Sequence, residues 1–137
     1  KNPLVYIEYD EDGNPILQTV KGDKMPIGGM QREKQRIFSK HKVQLMQTTP
    51  VLVNGTAGAN GAGTERQRTF YIFSDGYQDQ FGGKKSRKFM LKNFKRLLER
   101  IHEQPMTKQK DTLKEVVEMW MEGENQTDDI LVIGFKV

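Results

Sequence analysis

The chain has 137 residues, 35% of them hydrophobic, which is enough to bury one modest core. Its 22 basic and 18 acidic residues give a formal net charge of +4, too small an excess to indicate a dedicated polyanion-binding protein. It has no cysteine, so a metal would have to be held by carboxylates or by the two histidines, His41 and His102. Neither a long apolar run nor a leader-like segment occurs, which predicts a soluble cytoplasmic domain, with any membrane anchor elsewhere in a complete protein.

The first elements predicted along the chain are two strands and a loop. The apolar runs Leu4–Tyr9 and Ile16–Val20 flank the turn-forming cluster Asp10–Asn14, so they predict a β-hairpin. The following segment, KGDKMPIGGM, holds three glycines and a proline in ten residues. This density excludes a regular helix and predicts a loop with tight bends.

The middle of the chain predicts further strands around a glycine-rich segment. Apolar residues alternate at Val43 and Leu45, and the run from residue 69 to residue 74 is apolar and strand-like. Residues 54–63, NGTAGANGAG, are of low complexity and predict a flexible loop. A phosphate-binding loop would require a Lys-Ser or Lys-Thr pair opening a helix, which this segment lacks.

Two amphipathic helices are predicted next. From Arg87 to Glu103 the apolar residues recur at spacings of three and four, and a second helix is expected after Pro105, with Thr107 as its N-cap. The residues expected to face one core are Met90, Phe94, Leu97, Leu98, Ile101, Val116, Val117 and Trp120. The last run, from residue 130 to residue 137, is typical of a buried central strand. Together these elements predict a chain that combines strands with a helix pair at about residues 87–121.

Two acidic motifs lie at predicted strand ends. Asp75 follows the strand that ends near Ser74, and Asp128 and Asp129 precede the last strand. If these strands are antiparallel neighbours, Asp75 and Asp128 share one edge of the sheet, where carboxylates can bind Mg²⁺ or Mn²⁺. The alternative is that Asp75 caps a turn and that the two later aspartates are solvated turn residues.

Four segments in this order resemble the metal-dependent serine/threonine phosphatases of the PPM type, in particular the bacterial branch related to the sporulation phosphatase SpoIIE. They are NPLVYI, GDKMPIGG, FYIFSDGYQDQFGG and QTDDILVIGF. Each motif is short, but the four segments span nearly the whole chain, and two predicted helices separate the last two.

The resemblance implies an α+β fold: part of a four-layer α-β-β-α sandwich with mostly antiparallel sheets, the helix pair at about residues 87–121 on one face, and two Mn²⁺ or Mg²⁺ ions at one end of the complete domain. It assigns metal-ligand roles to Asp75 and Asp128, and supporting positions around the metals to Gly76, Asp79 and Asp129. It also implies that metal-bound water attacks the phosphoester, so no side chain beyond the metal ligands is expected to be catalytic.

The chain departs from the family at one motif. The family's earlier Asp and Gly-His-Gly segment, which supplies a carboxylate to both metals, has no counterpart here. The chain therefore resembles the C-terminal half of such a domain and is expected to be inactive alone, with residues 54–63 as an insertion or joint. The alternative is an inactive scaffold or protein-interaction domain with the same fold.

The expected partners follow from the same resemblance. They are a phosphoprotein substrate, such as an anti-sigma-factor antagonist, and an upstream sensor or regulatory domain in the same polypeptide. Homo-oligomerisation is also compatible with the resemblance. The basic run Lys84–Lys88 has few interleaved aromatic residues, so no nucleic acid is expected and docking of an acidic protein is favoured. His41 and His102 are expected to be structural or solvent-facing.

Overall fold

The computed structural model describes residues 2–24, 35, 37–49, 52–53, 56–57 and 64–137. The strands in these residues are β1 (Leu4–Tyr9), β2 (Pro15–Val20), β3 (Met46–Thr49), β4 (Leu52–Val53), β5 (Thr56–Ala57), β6 (Thr64–Gln67), β7 (Thr69–Phe73), β8 (Phe81–Gly82), β9 (Arg87–Lys88) and β10 (Val132–Lys136). The helices are α1 (Gly76–Asp79), α2 (Leu91–Ile101) and α3 (Met106–Met121). The predicted α+β class is confirmed.

A four-stranded antiparallel sheet in the order β10-β7-β1-β2 organises the chain. The predicted hairpin forms β1 and β2, with Leu4 opposite Val20. Strand β7 lies between β1 and β10, with Ile72 opposite both Leu4 and Ile133. Strands that are distant in sequence therefore meet at the centre of the sheet.

One face of this sheet is covered by helices α2 and α3. Because side chains alternate along a strand, Val5, Ile7, Tyr71 and Phe73 point to the same side of the sheet. They form one buried cluster with Tyr77, Phe89, Phe94, Leu97, Leu98, Ile101, Leu113 and Val117. This cluster confirms the predicted core for most of the helical positions, and we call this side of the sheet the helix face.

The opposite side of the sheet, which we call the outer face, is also apolar. Ile72, Ile133 and Phe135 lie on it and are 44%, 48% and 37% exposed. A row of stacked rings crosses the strands, with the Tyr6 and Phe70 centroids 5.6 Å apart and those of Phe70 and Phe135 5.2 Å apart. Both faces thus carry apolar residues, but within the described part of the chain helices cover only the helix face.

Both helices of the pair begin at residues other than those predicted. The first helix begins at Leu91 rather than Arg87, because Arg87–Lys88 pairs with Phe81–Gly82 and Met90 has a positive φ of 76° that no helix accommodates. Met90 is consequently 56% exposed and lies outside the core. Pro105, not Thr107, occupies the N-cap position of the second helix, and it makes no side-chain capping hydrogen bond. The helix pair therefore occupies residues 91–121.

Three further expectations are corrected or refined. The last strand is β10, an edge strand with exposed Ile133 and Phe135, so the prediction of a buried central strand is wrong. Trp120 packs against the core but is only half-buried. The strand predicted around Val43 and Leu45 begins only at Met46.

Some expectations fall on residues that are not described. Most of the glycine-rich segment 54–63 and most of the GDKMPIGG motif lie outside the described residues, and His41 lies in an irregular described stretch.

His102 is 4% exposed, and its Nε2 lies 3.2 Å from the Tyr9 hydroxyl, so its role is structural as expected. Within the described part of the chain, every helix is too short or too polar to cross a bilayer.

Candidate metal centre

The end of β7 is joined to the start of β10 through Ser74. The Ser74 hydroxyl donates a hydrogen bond to the Asp129 carbonyl at 2.7 Å and accepts one from the Leu131 amide at 2.9 Å. The Ser74 amide also donates to the Leu131 carbonyl at 3.0 Å. These three bonds hold the segment before β10 against the end of β7.

Gly76 brings the two acidic motifs into direct contact. A Cβ atom built at this position would lie 2.7 Å from the Asp129 carbonyl carbon and 3.2 Å from the Asp128 carbonyl oxygen. Only glycine allows the backbone of one motif to approach the other this closely. The expected meeting of the two motifs at one end of an antiparallel strand pair is therefore confirmed, whereas their role as metal ligands stays a prediction.

The two candidate ligand carboxylates are both exposed at this junction. Asp75 precedes the short helix α1, and its carbonyl accepts a hydrogen bond from the Asp79 amide at 3.0 Å. Asp128 Oδ1 accepts a hydrogen bond from the Asp129 amide at 2.7 Å. This bond orients the Asp128 carboxylate and does not involve its Oδ2 atom.

The three supporting positions have distinct contacts. Gly76 and Asp129 act through their backbones, as described above. The Asp79 carboxylate instead accepts a hydrogen bond from Lys88 Nζ at 3.0 Å, in an ion pair whose members are both about two-fifths exposed. Asp79 therefore joins α1 to β9, and a role beside a metal remains an expectation for it.

A buried amide side chain, Gln80, holds the loop that carries Asp128. Its Oε1 atom accepts a hydrogen bond from the Thr127 amide at 3.0 Å, and its Nε2 atom donates to the Asn125 carbonyl at 3.0 Å. The Gln80 carbonyl accepts a bond from Trp120 Nε1 at 3.1 Å. The sequence offered no local signal for this role, because the loop atoms that the Gln80 side chain contacts are backbone atoms more than 40 residues away.

Helix α1 is anchored beneath the junction by Tyr77. Its ring stacks on Phe94 with centroids 4.3 Å apart, and its hydroxyl donates to the Leu113 carbonyl at 2.8 Å. Burial raises the pKa of Tyr77 well above its ordinary value, so the phenol stays neutral. Asp75 is thus carried on a segment fixed to the hydrophobic core.

The donor set at the junction fits part of a divalent metal site. Exposed carboxylates with access to water are the ligands that Mg²⁺ and Mn²⁺ prefer. Within the described ranges, however, no three His, Asp or Glu side chains converge as a metal-binding cluster. The residues described here can supply one side of a metal centre, and further ligands would have to come from elsewhere.

Comparison with known proteins supports the fold. The fold is similar to that of part of a PP2C-type, or PPM-type, domain: the chain superposes on the SiaA-PP2C domain of Pseudomonas aeruginosa with a TM-score of 0.67 at 22% sequence identity. The match covers 98% of this chain but 42% of that structure, so the chain spans less than half of its structural relative. Neither a protein-family model nor a curated protein sequence matches the chain significantly. At this identity the likeness establishes the fold alone.

Proposed function

We propose that the chain is the C-terminal portion of a metal-dependent protein phosphatase domain of the SpoIIE-like branch. In this proposal Asp75 and Asp128 bind Mn²⁺ or Mg²⁺, and the complete domain dephosphorylates phosphoserine or phosphothreonine in a regulatory protein. The observation that carries the proposal is the contact of Gly76 with the Asp128–Asp129 backbone, within a PP2C-type fold.

The chemistry of this site assigns limited tasks to the residues of the chain. Two bound metal ions would acidify a water molecule and neutralise charge on the phosphoryl oxygens. Asp75 and Asp128 supply anionic oxygen ligands, while Gly76 and Ser74 keep the two segments in contact. Because no protein nucleophile is required, the absence of cysteine from the sequence does not conflict with the proposal.

Metal binding by the chain itself is the first test. We expect Mn²⁺, followed by electron paramagnetic resonance, to bind weakly to the wild-type chain and more weakly still to Asp75→Asn and Asp128→Asn. Asp111→Asn, which removes an exposed carboxylate on α3, is the control with the same change in charge. Equal Mn²⁺ binding by all four proteins would refute the assignment of the ligands.

Catalysis is the second test and separates the half-site from a complete site. Because the described residues lack a three-ligand cluster, we expect the 137-residue chain alone to show no phosphopeptide hydrolysis. A polypeptide that also contains the family's Asp and Gly-His-Gly segment should show turnover that EDTA abolishes. EDTA-sensitive turnover by the chain alone would contradict the proposal that the chain supplies only part of the metal site. Turnover that survives both Asp→Asn changes would contradict the assignment of Asp75 and Asp128 as metal ligands.

An inactive protein-interaction domain of the same fold is the second candidate. It is favoured by the exposed apolar outer face, where Ile72 and Ile133 are nearly half exposed. A polypeptide that contains the earlier motif and binds Mn²⁺ yet hydrolyses no phosphopeptide would support this candidate.

Under the phosphatase proposal, the partners are a phosphoprotein such as an anti-sigma-factor antagonist and a sensor domain in the same polypeptide.

A further inference from the structure

A cavity of about 380 Å³ opens beside Asp75 and is lined by three lysines. They are Lys21 and Lys24, which follow β2, and Lys95 on α2. Among the lining residues Asp75 is the single carboxylate, so the described wall of the cavity carries three positive charges against one negative charge. A volume of this size is sufficient for a small ligand or for one side chain of a peptide.

The topology of the sheet explains why these distant residues meet. Strand β1 is antiparallel to both β2 and β7, so β2 and β7 run in the same direction and end at the same edge. Val20 and Ile72 stand level on either side of Leu4, which brings the residues after Val20 and the residues after Phe73 to one place. Helix α2 contributes Lys95 from above this edge.

Lys95 is held in place by a hydrogen bond, and the carboxylate that lies between Lys21 and Lys24 in sequence is bonded to another residue. Lys95 Nζ donates to the Thr19 hydroxyl at 2.8 Å, which fixes the ammonium group and leaves it two further donors. Asp23, between Lys21 and Lys24, instead accepts bonds from the Ser39 amide at 2.8 Å and from the Ser39 hydroxyl at 3.0 Å. These bonds lower the pKa of Asp23, which therefore stays ionised and committed to Ser39.

We propose that Lys21, Lys24 and Lys95 form an anion-binding pocket that holds the phosphate group of a phosphoserine or phosphothreonine peptide beside Asp75. The identity of the anion rests on the proposed function, whereas the pocket itself rests on the cavity and its lysines. Three ammonium groups offset the repulsion that a single carboxylate exerts on a phosphate dianion. The same pocket would position the phosphate next to the candidate metal ligand.

Phosphate binding in EDTA-containing, low-salt buffer tests the pocket without any metal. We expect inorganic phosphate and a phosphoserine peptide to shift the amide resonances of residues 19–24, 74–78 and 91–95, and the unphosphorylated peptide to leave them unchanged. Loss of a charged hydrogen bond in Lys95→Met should weaken binding about tenfold. Lys21→Met should weaken it less, because that ammonium group is more exposed. The control is Lys114→Met, an exposed lysine on α3 outside the pocket.

Several results would overturn the pocket. They are no resonance shift with phosphate at millimolar concentration, equal weakening in Lys95→Met and Lys114→Met, and tighter binding of single-stranded DNA than of the phosphopeptide at the same lysines. Phosphate binding in a protein that fails the Mn²⁺ test would preserve the pocket and refute the metal site. Mn²⁺ binding without phosphate binding would preserve the metal site and refute the pocket. The two proposals can therefore be refuted separately.

Discussion

The two faces of the sheet are built from the same strands and from similar residues, yet their surroundings differ. Phe73 on the helix face is 2% exposed and meets Phe94 edge-on, with centroids 4.8 Å apart. Phe135 on the outer face is 37% exposed and stacks on Phe70 of the neighbouring strand. The helix face is completed by residues of the described chain, whereas on the outer face Phe70 is buried but Ile72, Ile133 and Phe135 remain partly exposed in the described residues. This difference supports the proposal that the chain is part of a larger sandwich.

The largest expected effect contrasts the two phenylalanines. Phe73→Ala should lower the free energy of unfolding by about 3 to 5 kcal/mol, because it opens a cavity in the core. Phe135→Ala should lower it by about 1 kcal/mol, because it removes a half-exposed stacking contact. Urea unfolding followed by circular dichroism measures both. Equal losses would show that the outer face is already packed in the isolated chain.

The next effect concerns the junction where both faces end. Gly76→Ala should cost about 1 to 3 kcal/mol, because the new methyl group meets the rigid Asp129 carbonyl. It should also weaken Mn²⁺ binding by separating the two acidic segments. Gly134→Ala is the comparison: its methyl group would lie 3.3 Å from the Tyr71 ring and 3.5 Å from Met106 Sδ, which can shift. A smaller loss at Gly76 than at Gly134 would contradict the close contact at the junction.

A pH effect should arise from the helix face. Burial raises the pKa of Tyr71 and Tyr77 far above the ordinary value of 10, and each hydroxyl donates a buried hydrogen bond. Above pH 10 the unfolded chain releases these protons while the folded chain keeps them, so stability present below pH 10 is lost as the pH rises. The loss approaches about 1.4 kcal/mol per pH unit for each tyrosine. Urea titrations between pH 8 and 11 should show this slope, and Tyr71→Phe and Tyr77→Phe should each reduce it.

The smallest effect is expected on the outer face. Ile72→Thr and Ile133→Thr should each change the free energy of unfolding of the chain by no more than about 0.5 kcal/mol, because these side chains are half exposed. The same changes should reduce self-association, measured by analytical ultracentrifugation, since they interrupt an apolar patch. A loss above about 2 kcal/mol would mean that the outer face is covered in solution.

Local patterns in the sequence predicted most of the elements, because alternation and helical spacing depend on neighbouring residues. The β1–β2 hairpin, β7 and the apolar stripes of both helices follow from such patterns. The start of α2 did not, since it depends on the pairing of Arg87–Lys88 with Phe81–Gly82 and on the positive φ of Met90, neither of which the helical spacing reveals. The exposure of β10 was also missed, because an apolar strand looks the same whether or not a second layer covers it.

The sequence likewise predicted one part of the candidate site and missed another. The meeting of Asp75 with the Asp128–Asp129 segment followed from assuming that two strands pair antiparallel. The buried Gln80 and the lysine pocket did not follow, because both depend on contacts between residues far apart in sequence. Glycine at position 76 was visible in the sequence, but its reason, the approach of the Asp129 carbonyl, belongs to the tertiary structure.

The central position of β7 has a consequence for folding kinetics. Its two neighbours, β1 and β10, come from opposite ends of the described chain, so each pairing closes a loop of about 60 residues or more. Topologies dominated by such distant pairings fold slowly compared with helical bundles. During synthesis, the β1–β2 hairpin and helix α2 can form early, whereas one edge of β7 stays unpaired until residues 132–136 have been made. The order of translation therefore places the completion of the sheet and the assembly of the acidic junction in the same late step.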